Sequence, residues 1–285
     1  MQDFLSFSAQ IKSKYSYRNT NWIKKQYKGA SIVKTYSDWK KDNIEVRKGQ
    51  HGIKILRPIF AEVVEIENKV IPKKKWDDAI LQKIKNNELE VQNVLRSFGI
   101  SYVFDISQTF LPKEKYPKNY FDSWYRKNKP DPTLDEKCSI IFNVLSRIIE
   151  RKGWKINTDA TLGLVQGQTT FLLKEIKLNK LNELHENLNT LFHEYAHILC
   201  EHDKSKISLG LKEYQAELVA YTCHKHINIE VKEHSFKYMK GWLKDINASQ
   251  KRAIVDQIIR VSKEIVNELE DELRAMELET NKTIN

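Results

Sequence analysis

The chain has 285 residues, 40% of them hydrophobic, which is enough for two ordinary domains that each bury a core. No run approaches the eighteen or so apolar residues of a membrane span, and Met1-Gln2-Asp3-Phe4 lacks the basic-then-apolar layout of a secretory signal, so a cytoplasmic protein is expected. Three widely spaced cysteines, Cys138, Cys200 and Cys223, form no CxxC pair, which argues against a disulfide framework or a cysteine zinc knuckle and for buried free thiols.

The net charge of +10 is unevenly spread: residues 1–132 hold 26 Lys and Arg against 15 Asp and Glu, while residues 133–285 hold 22 against 23. A basic half beside a neutral half points to a polyanion partner for the first, with a merely soluble basic surface as the competing reading.

In chain order, residues 2–14 and 17–28 read as short helices and Ser37 to Lys41 as a third, carrying Trp39 among lysines. Ile44-Glu45-Val46 and Ile53 to Leu56 read as strands joined by Arg47-Lys48-Gly49-Gln50-His51-Gly52, whose two glycines suit a hairpin connection. Val63 to Ile66 is strand-like, residues 76–97 read as helix, and Tyr102 to Ile106 as a further strand. The segment from Leu111 to Pro132 carries four of the six prolines and no sustained period, which predicts a linker. Three segments are therefore expected: a small basic α+β domain over 1–112, a linker over 113–132, and a mainly helical domain over 133–285. Within the last, Lys137 to Arg151 has helical spacing and Thr169 to Leu178 suits a strand or two. The rest reads as mostly helix, ending in a long amphipathic one from Gln250 to Met276 whose apolar stripe should pack on its own domain.

The chemistry is concentrated in His193-Glu194-Tyr195-Ala196-His197, an HExxH string. Histidines four apart on a helix lie on one face a turn apart and can bind one ion, Zn2+ by this donor type, with Glu194 beside it as general base for an activated water. Leu188, Leu191, Phe192, Ala196 and Leu199 give the run the apolar flank that a helix lining a buried site needs. A third ligand must come from downstream, and His202, Asp203, Glu213 and Glu217 are the candidates. Asp203 has the spacing of a metzincin's last ligand, but Cys200 stands where that pattern has a turn-making glycine. Glu213 and Glu217 are again four apart, so one can bind the ion while the other holds a ligand histidine's far nitrogen. His224, His226, Tyr214 and Tyr221 could each supply a donor to an oxyanion, and nothing in the sequence selects among them.

The Glu213/Glu217 pair resembles the second-helix motif of gluzincins such as thermolysin, a resemblance that makes Glu213 the ligand and Glu217 the orienting partner. Over most of its length the chain also resembles the ArdC family of antirestriction proteins. The likeness rests on Asn21 to Gln26, on Trp39 followed by Val46 to Leu56, on Phe104-Asp105-Ile106-Ser107-Gln108-Thr109, on Thr190 to His197 and on Gln215 to Tyr221. It implies an N-terminal domain that binds single-stranded DNA, a C-terminal zincin-like zinc metallopeptidase domain related to the ImmA/IrrE group, and antirestriction on a mobile genetic element as the role.

The basic half can be read from its residues as well. Arg18, Lys24, Lys25, Arg47, Lys48 and Lys54 lie among Trp22, Trp39 and several tyrosines, a mixture suited to phosphate contacts and base stacking on single-stranded DNA. Two functions follow: a zinc peptidase acting on a protein substrate or restriction component, or a non-catalytic protein that coats single strands and whose zinc site is structural or vestigial. They part at Glu194, because a structural site has no use for a general base.

Overall fold

The computed structural model describes residues 2–11, 15–128, 132–230 and 246–283. Helices and strands mix in an α+β fold, and the chain divides into two compact units, residues 22–111 and residues 1–21 with 112–285.

The unit of residues 22–111 is built on an antiparallel sheet. β1 (Val33–Thr35) leads into α1 (Tyr36–Lys41), which Thr35 caps by accepting the Asp38 amide at 3.2 Å. β2 (Ile53–Ile66) turns back into β3 (Lys69–Pro72), α2 (Asp78–Lys85) follows, and β4 (Gln92–Asp105) completes the sheet in the order β1-β4-β2-β3. Glu67 and Asn68 both have positive φ, as a two-residue hairpin turn between Ile66 and Lys69 requires. This hairpin is not the one expected over 44–56. Val46 makes only an isolated bridge to Thr109, and Ile53 pairs with Val103, so the strand expected at 44–46 is tied to the segment after β4. The helix expected over 76–97 stops at Lys85, and residues 92–97 are strand because β2 supplies pairing partners along β4 from Gln92 to Val103.

The string Phe104 to Thr109 owes its character to this sheet. Asp105 is fully buried; its Oδ2 accepts from the amides of Ser31 (2.6 Å) and Ile32 (3.1 Å), and its Oδ1 from Ser107 N (2.9 Å). Gln108 donates to His51 O at 2.9 Å and accepts from Asp105 N at 2.9 Å. A buried carboxylate is tolerated because each oxygen has donors.

The larger unit is mainly helical: α3 (Gln2–Gln10), the first half of α4 (Tyr17–Gln26, whose residues from Trp22 on belong to the other unit), α5 (Tyr120–Asn128), α6 (Leu134–Arg151), α7 (Leu184–Leu199), α8 (Leu209–Ile227) and α9 (Ala248–Thr283). A three-stranded sheet of β5 (Lys155–Ala160), β6 (Gly167–Thr170) and β7 (Glu175–Asn179) has the order β5-β7-β6, with β6 an edge strand antiparallel to β7. The division differs from the expected 1–112, 113–132 and 133–285. Phe4 and Leu5 of the first helix, and Phe121 and Tyr125 of the supposed linker, belong to the same buried cluster as Leu191 and Phe192. Apolar side chains that bury in this core draw their backbone into the unit whatever their sequence position. Ile254, Ile258, Val261, Ile265, Leu269 and Leu273 of α9 are buried in that cluster, so the tail packs on its own unit. Residues 231–245, part of the stretch expected to be mostly helix, lie outside the described residues. No described helix is long and apolar enough to cross a membrane.

Candidate metal centre

α7 and α8 carry the site. Ser208 caps α8, its hydroxyl accepting from Leu211 N at 3.4 Å, and the first turns of α8 bring Glu213 and Glu217 to the histidine face of α7. His193 Nε2 lies 3.1 Å from His197 Nε2 and 3.2 Å from Glu213 Oε2, and His197 Nε2 lies 3.5 Å from Glu213 Oε1. Ligand bonds of about 2.0–2.1 Å to a tetrahedral ion set donor atoms about 3.3–3.4 Å apart, so the three groups fit a divalent ion by type and spacing. Glu217 stands behind them: its Oε2 is 3.3 Å from His193 Nδ1, the nitrogen turned away from the triangle. The two carboxylates beside it raise the affinity of His193 for a proton, outweighing the burial that lowers it.

The other residues weighed as third ligand fall outside the triangle. His202 meets the far side of His197, Nδ1 to Nδ1 at 2.8 Å, and Asp203 is exposed. Neither it nor a metzincin-like turn is needed, because Glu201 takes the left-handed conformation (φ 51°) that ends α7.

Glu194 is buried, and its Oε2 accepts the Thr169 hydroxyl at 2.6 Å. β6 comes so close to α7 that a Cβ on Gly167 would meet Thr190 Cγ2 at 2.3 Å and Glu194 Oε1 at 3.1 Å. The edge strand thus forms one wall of an open cleft of about 500 Å³, lined also by Phe171, His193, Glu194, His197 and Glu213. Thr169 and Gly167 carry no motif in the sequence; only their contact with Glu194 identifies them. Of the residues considered as oxyanion donors, none lines this cleft. Tyr214 and His224 are buried, Tyr221 hydrogen-bonds Ser6 at 2.8 Å, and the His226 carbonyl accepts from Asn119 at 2.7 Å.

Residues 4–104 match the family described as the N-terminal domain of anti-restriction factor ArdC. Over these residues the chain is similar to ArdC. It is 25% identical to an uncharacterized protein of Bacillus anthracis over 99% of its own length and 50% of that protein's, so the chain spans about half the length of this curated relative. It shares the fold of the metal-free antirestriction ArdC protein from the R388 plasmid, with a TM-score of 0.50 at 14% identity, covering 92% of this chain and 86% of that one. The Mn(II)-bound structure of that plasmid protein superposes with a TM-score of 0.45 at 15% identity, over 91% and 85% of the two chains. The family match begins at Phe4, although residues 4–21 pack with the helical unit.

Among the basic and aromatic residues named for this ArdC-like chain, the structure separates surface from core. Lys25, Arg47, Lys48 and Lys54 are exposed in the sheet unit, Lys24 and Trp22 are half-buried there, and Arg18 is exposed in the helical unit. Arg47 also donates to Ser107 O. Trp39 is 1% exposed and donates its indole hydrogen to Phe104 O at 2.8 Å, so it is a core residue and not a surface for bases. Tyr36, one of the tyrosines among the basic residues, is exposed, and sequence reasoning missed the exposed aromatics Phe60, Phe98 and Tyr102, which carried no charge pattern to mark them.

Proposed function

We propose that this chain is an antirestriction protein of the ArdC type that binds single-stranded DNA through its sheet unit and carries a gluzincin-type zinc site with hydrolytic competence. The observation that carries the enzymatic half is the triangle of His193, His197 and Glu213 with the Glu194 carboxylate in the same cleft. Two imidazoles and one carboxylate suit zinc, and three ligands leave a fourth position open. Zinc held there would acidify a water molecule and polarise a carbonyl group.

The chain's own groups do the rest. Glu213 and the two Nε2 atoms would hold the ion, and Glu217 would fix His193 with its Nδ1 hydrogen pointing away from it. Glu194 would take a proton on Oε1 from the attacking water and give it to the leaving amine of a cleaved peptide bond, with Oε2 kept in one orientation by the Thr169 hydroxyl. The free edge of β6 lies along the cleft, a row of backbone donors and acceptors suited to an extended peptide. Support for DNA comes from the sheet unit, which carries 17 Lys and Arg against 11 Asp and Glu. Lys54 pairs with Tyr102 and Pro58 with Phe98, so these four share a face, where the exposed rings offer stacking and the lysine offers phosphate contact.

Zinc content measured on the purified protein tests the site. About one ion per chain is expected, lost in His193→Ala and His197→Ala, with Glu213→Gln weakening zinc more than Glu217→Gln because a ligand outweighs its orienting partner. Wild-type metal content in both histidine variants would remove the site assignment, and the reverse order of the glutamates would exchange their roles.

A further inference from the structure

A line of polar side chains runs through the interior of the helical unit away from the metal triangle. His202 (3% exposed) and Gln215 (1% exposed) are polar groups in a core, and each buried polar group must find partners. The end of α7 puts His202 in place. Glu201 is left-handed, its amide donates to Ile198 O at 3.0 Å and the His202 amide to His197 O at 3.1 Å, which folds the His202 ring back onto the helix it has just left. From there the contacts are continuous: His197 Nδ1 to His202 Nδ1 at 2.8 Å, His202 Nε2 to Gln215 Oε1 at 3.1 Å, Gln215 Nε2 to Gln257 Oε1 at 2.8 Å, and Gln257 Nε2 to Cys200 O at 3.3 Å.

The far end decides which way every hydrogen points. A carbonyl oxygen only accepts, so Gln257 must present its amide nitrogen to Cys200 O, leaving its oxygen to accept from Gln215. Gln215 then turns its own oxygen toward His202, which must carry its proton on Nε2. The lone pair of His202 Nδ1 is left to accept, so His197 carries its proton on Nδ1. Running the line the other way requires both amides to flip and sets Gln257 Oε1 against Cys200 O, two acceptors with no hydrogen between them. The neutral tautomer of His197 with a free electron pair on Nε2 is the one a metal ligand needs.

We infer that His202, Gln215 and Gln257 are positioning residues that lock His197 in its metal-binding tautomer, a conclusion that rests on the zinc site proposed above. The two ligand histidines are thereby held by different chemistry. His193 is backed by the Glu217 carboxylate, whereas His197 is backed by a neutral imidazole tied to amides. His202 is thus no metal ligand, and its presence five residues after His197 serves the ligand from behind.

The test uses the full chain. Zinc affinity is measured by chelator competition in wild type, Gln215→Leu and Gln257→Leu, and the His197 tautomer is read from ring 15N shifts in the metal-free protein. Gln215→Leu leaves His202 without its fixed acceptor and is expected to weaken zinc about tenfold to hundredfold. Gln257→Leu acts at the remote end, with a smaller loss in the same direction and no new group near the ring. Gln215→Glu restores an acceptor to His202 and is expected to recover the wild-type tautomer. Wild-type zinc affinity in both leucine variants, or a His197 that carries its hydrogen on Nε2 in the wild type, overturns the inference while leaving the zinc site standing. A wild type whose zinc binding does not depend on His193 and His197 removes both.

Discussion

Thr169 on the edge strand donates its hydroxyl hydrogen to Glu194 Oε2 across 2.6 Å, tying the expected general base to the wall of the cleft. Glutamine at 194 keeps the shape and one acceptor but cannot take a proton. Glu194→Gln should therefore retain zinc, thermal stability and DNA binding while losing any hydrolysis or antirestriction effect that needs the metal site. Protection of DNA from restriction at the wild-type level by this variant would assign the role to the sheet unit alone.

Gly167 opposes Thr190 so closely that any side chain must displace something. A Cβ there would sit 2.3 Å from Thr190 Cγ2, and overpacking of this kind costs roughly 1–3 kcal/mol. Gly167→Ala should lower stability by that order, and adding Thr190→Ser, which removes the offending methyl group, should recover much of it. Additive losses in urea unfolding of the single and double variants would show that the clash lies elsewhere.

DNA binding by the sheet unit should divide into two separable parts. Phe98→Ala and Tyr102→Ala remove exposed rings, each worth about 1–3 kcal/mol if a base stacks on it, without altering the dependence on salt. Lys48→Ala and Lys54→Ala should each flatten the slope of log affinity against log salt by about one ion. Titrations of a labelled oligonucleotide at several salt concentrations measure both. Unchanged affinity in the aromatic variants would move the binding face off this side of the sheet.

His224 supplies a pH dependence separate from the metal site. It is 2% exposed, lies edge-on to Phe192, and neither ring nitrogen has a hydrogen-bond partner among the described residues. Burial, aided by Lys225, brings its pKa from 6.5 down to about 3. Between those values the unfolded chain holds the proton and the folded protein does not, so stability falls as pH drops below about 6.5, by up to about 2 kcal/mol at pH 5. His224→Leu should narrow the difference in unfolding free energy between pH 7.5 and pH 5 by about that amount. An identical difference in the variant would mean the imidazole is protonated within the fold.

Local spacing put His193 and His197 on one helix face with Glu194 beside them, because four residues make about one helical turn wherever the helix lies, and the same rule brought out Glu213 and Glu217 as a pair. Charge counting located the basic half, since net charge needs no coordinates. Which ring nitrogen of His193 each glutamate approaches was decided only by the fold, because it depends on how far along α7 the helix α8 crosses. Trp39 shows the same limit: among lysines it reads as a surface for bases, yet Val33, Ile53 and Val103 join it in a buried interior assembled from segments far apart in sequence. Residues 92–97 became strand through pairing with β2, and residues 1–21 joined the helical unit through Phe4 and Leu5. Periodicity and charge are properties of neighbours along the chain. Strand pairing, burial and the hydrogen-bond line from Cys200 to His197 are made between residues that meet only when the chain folds.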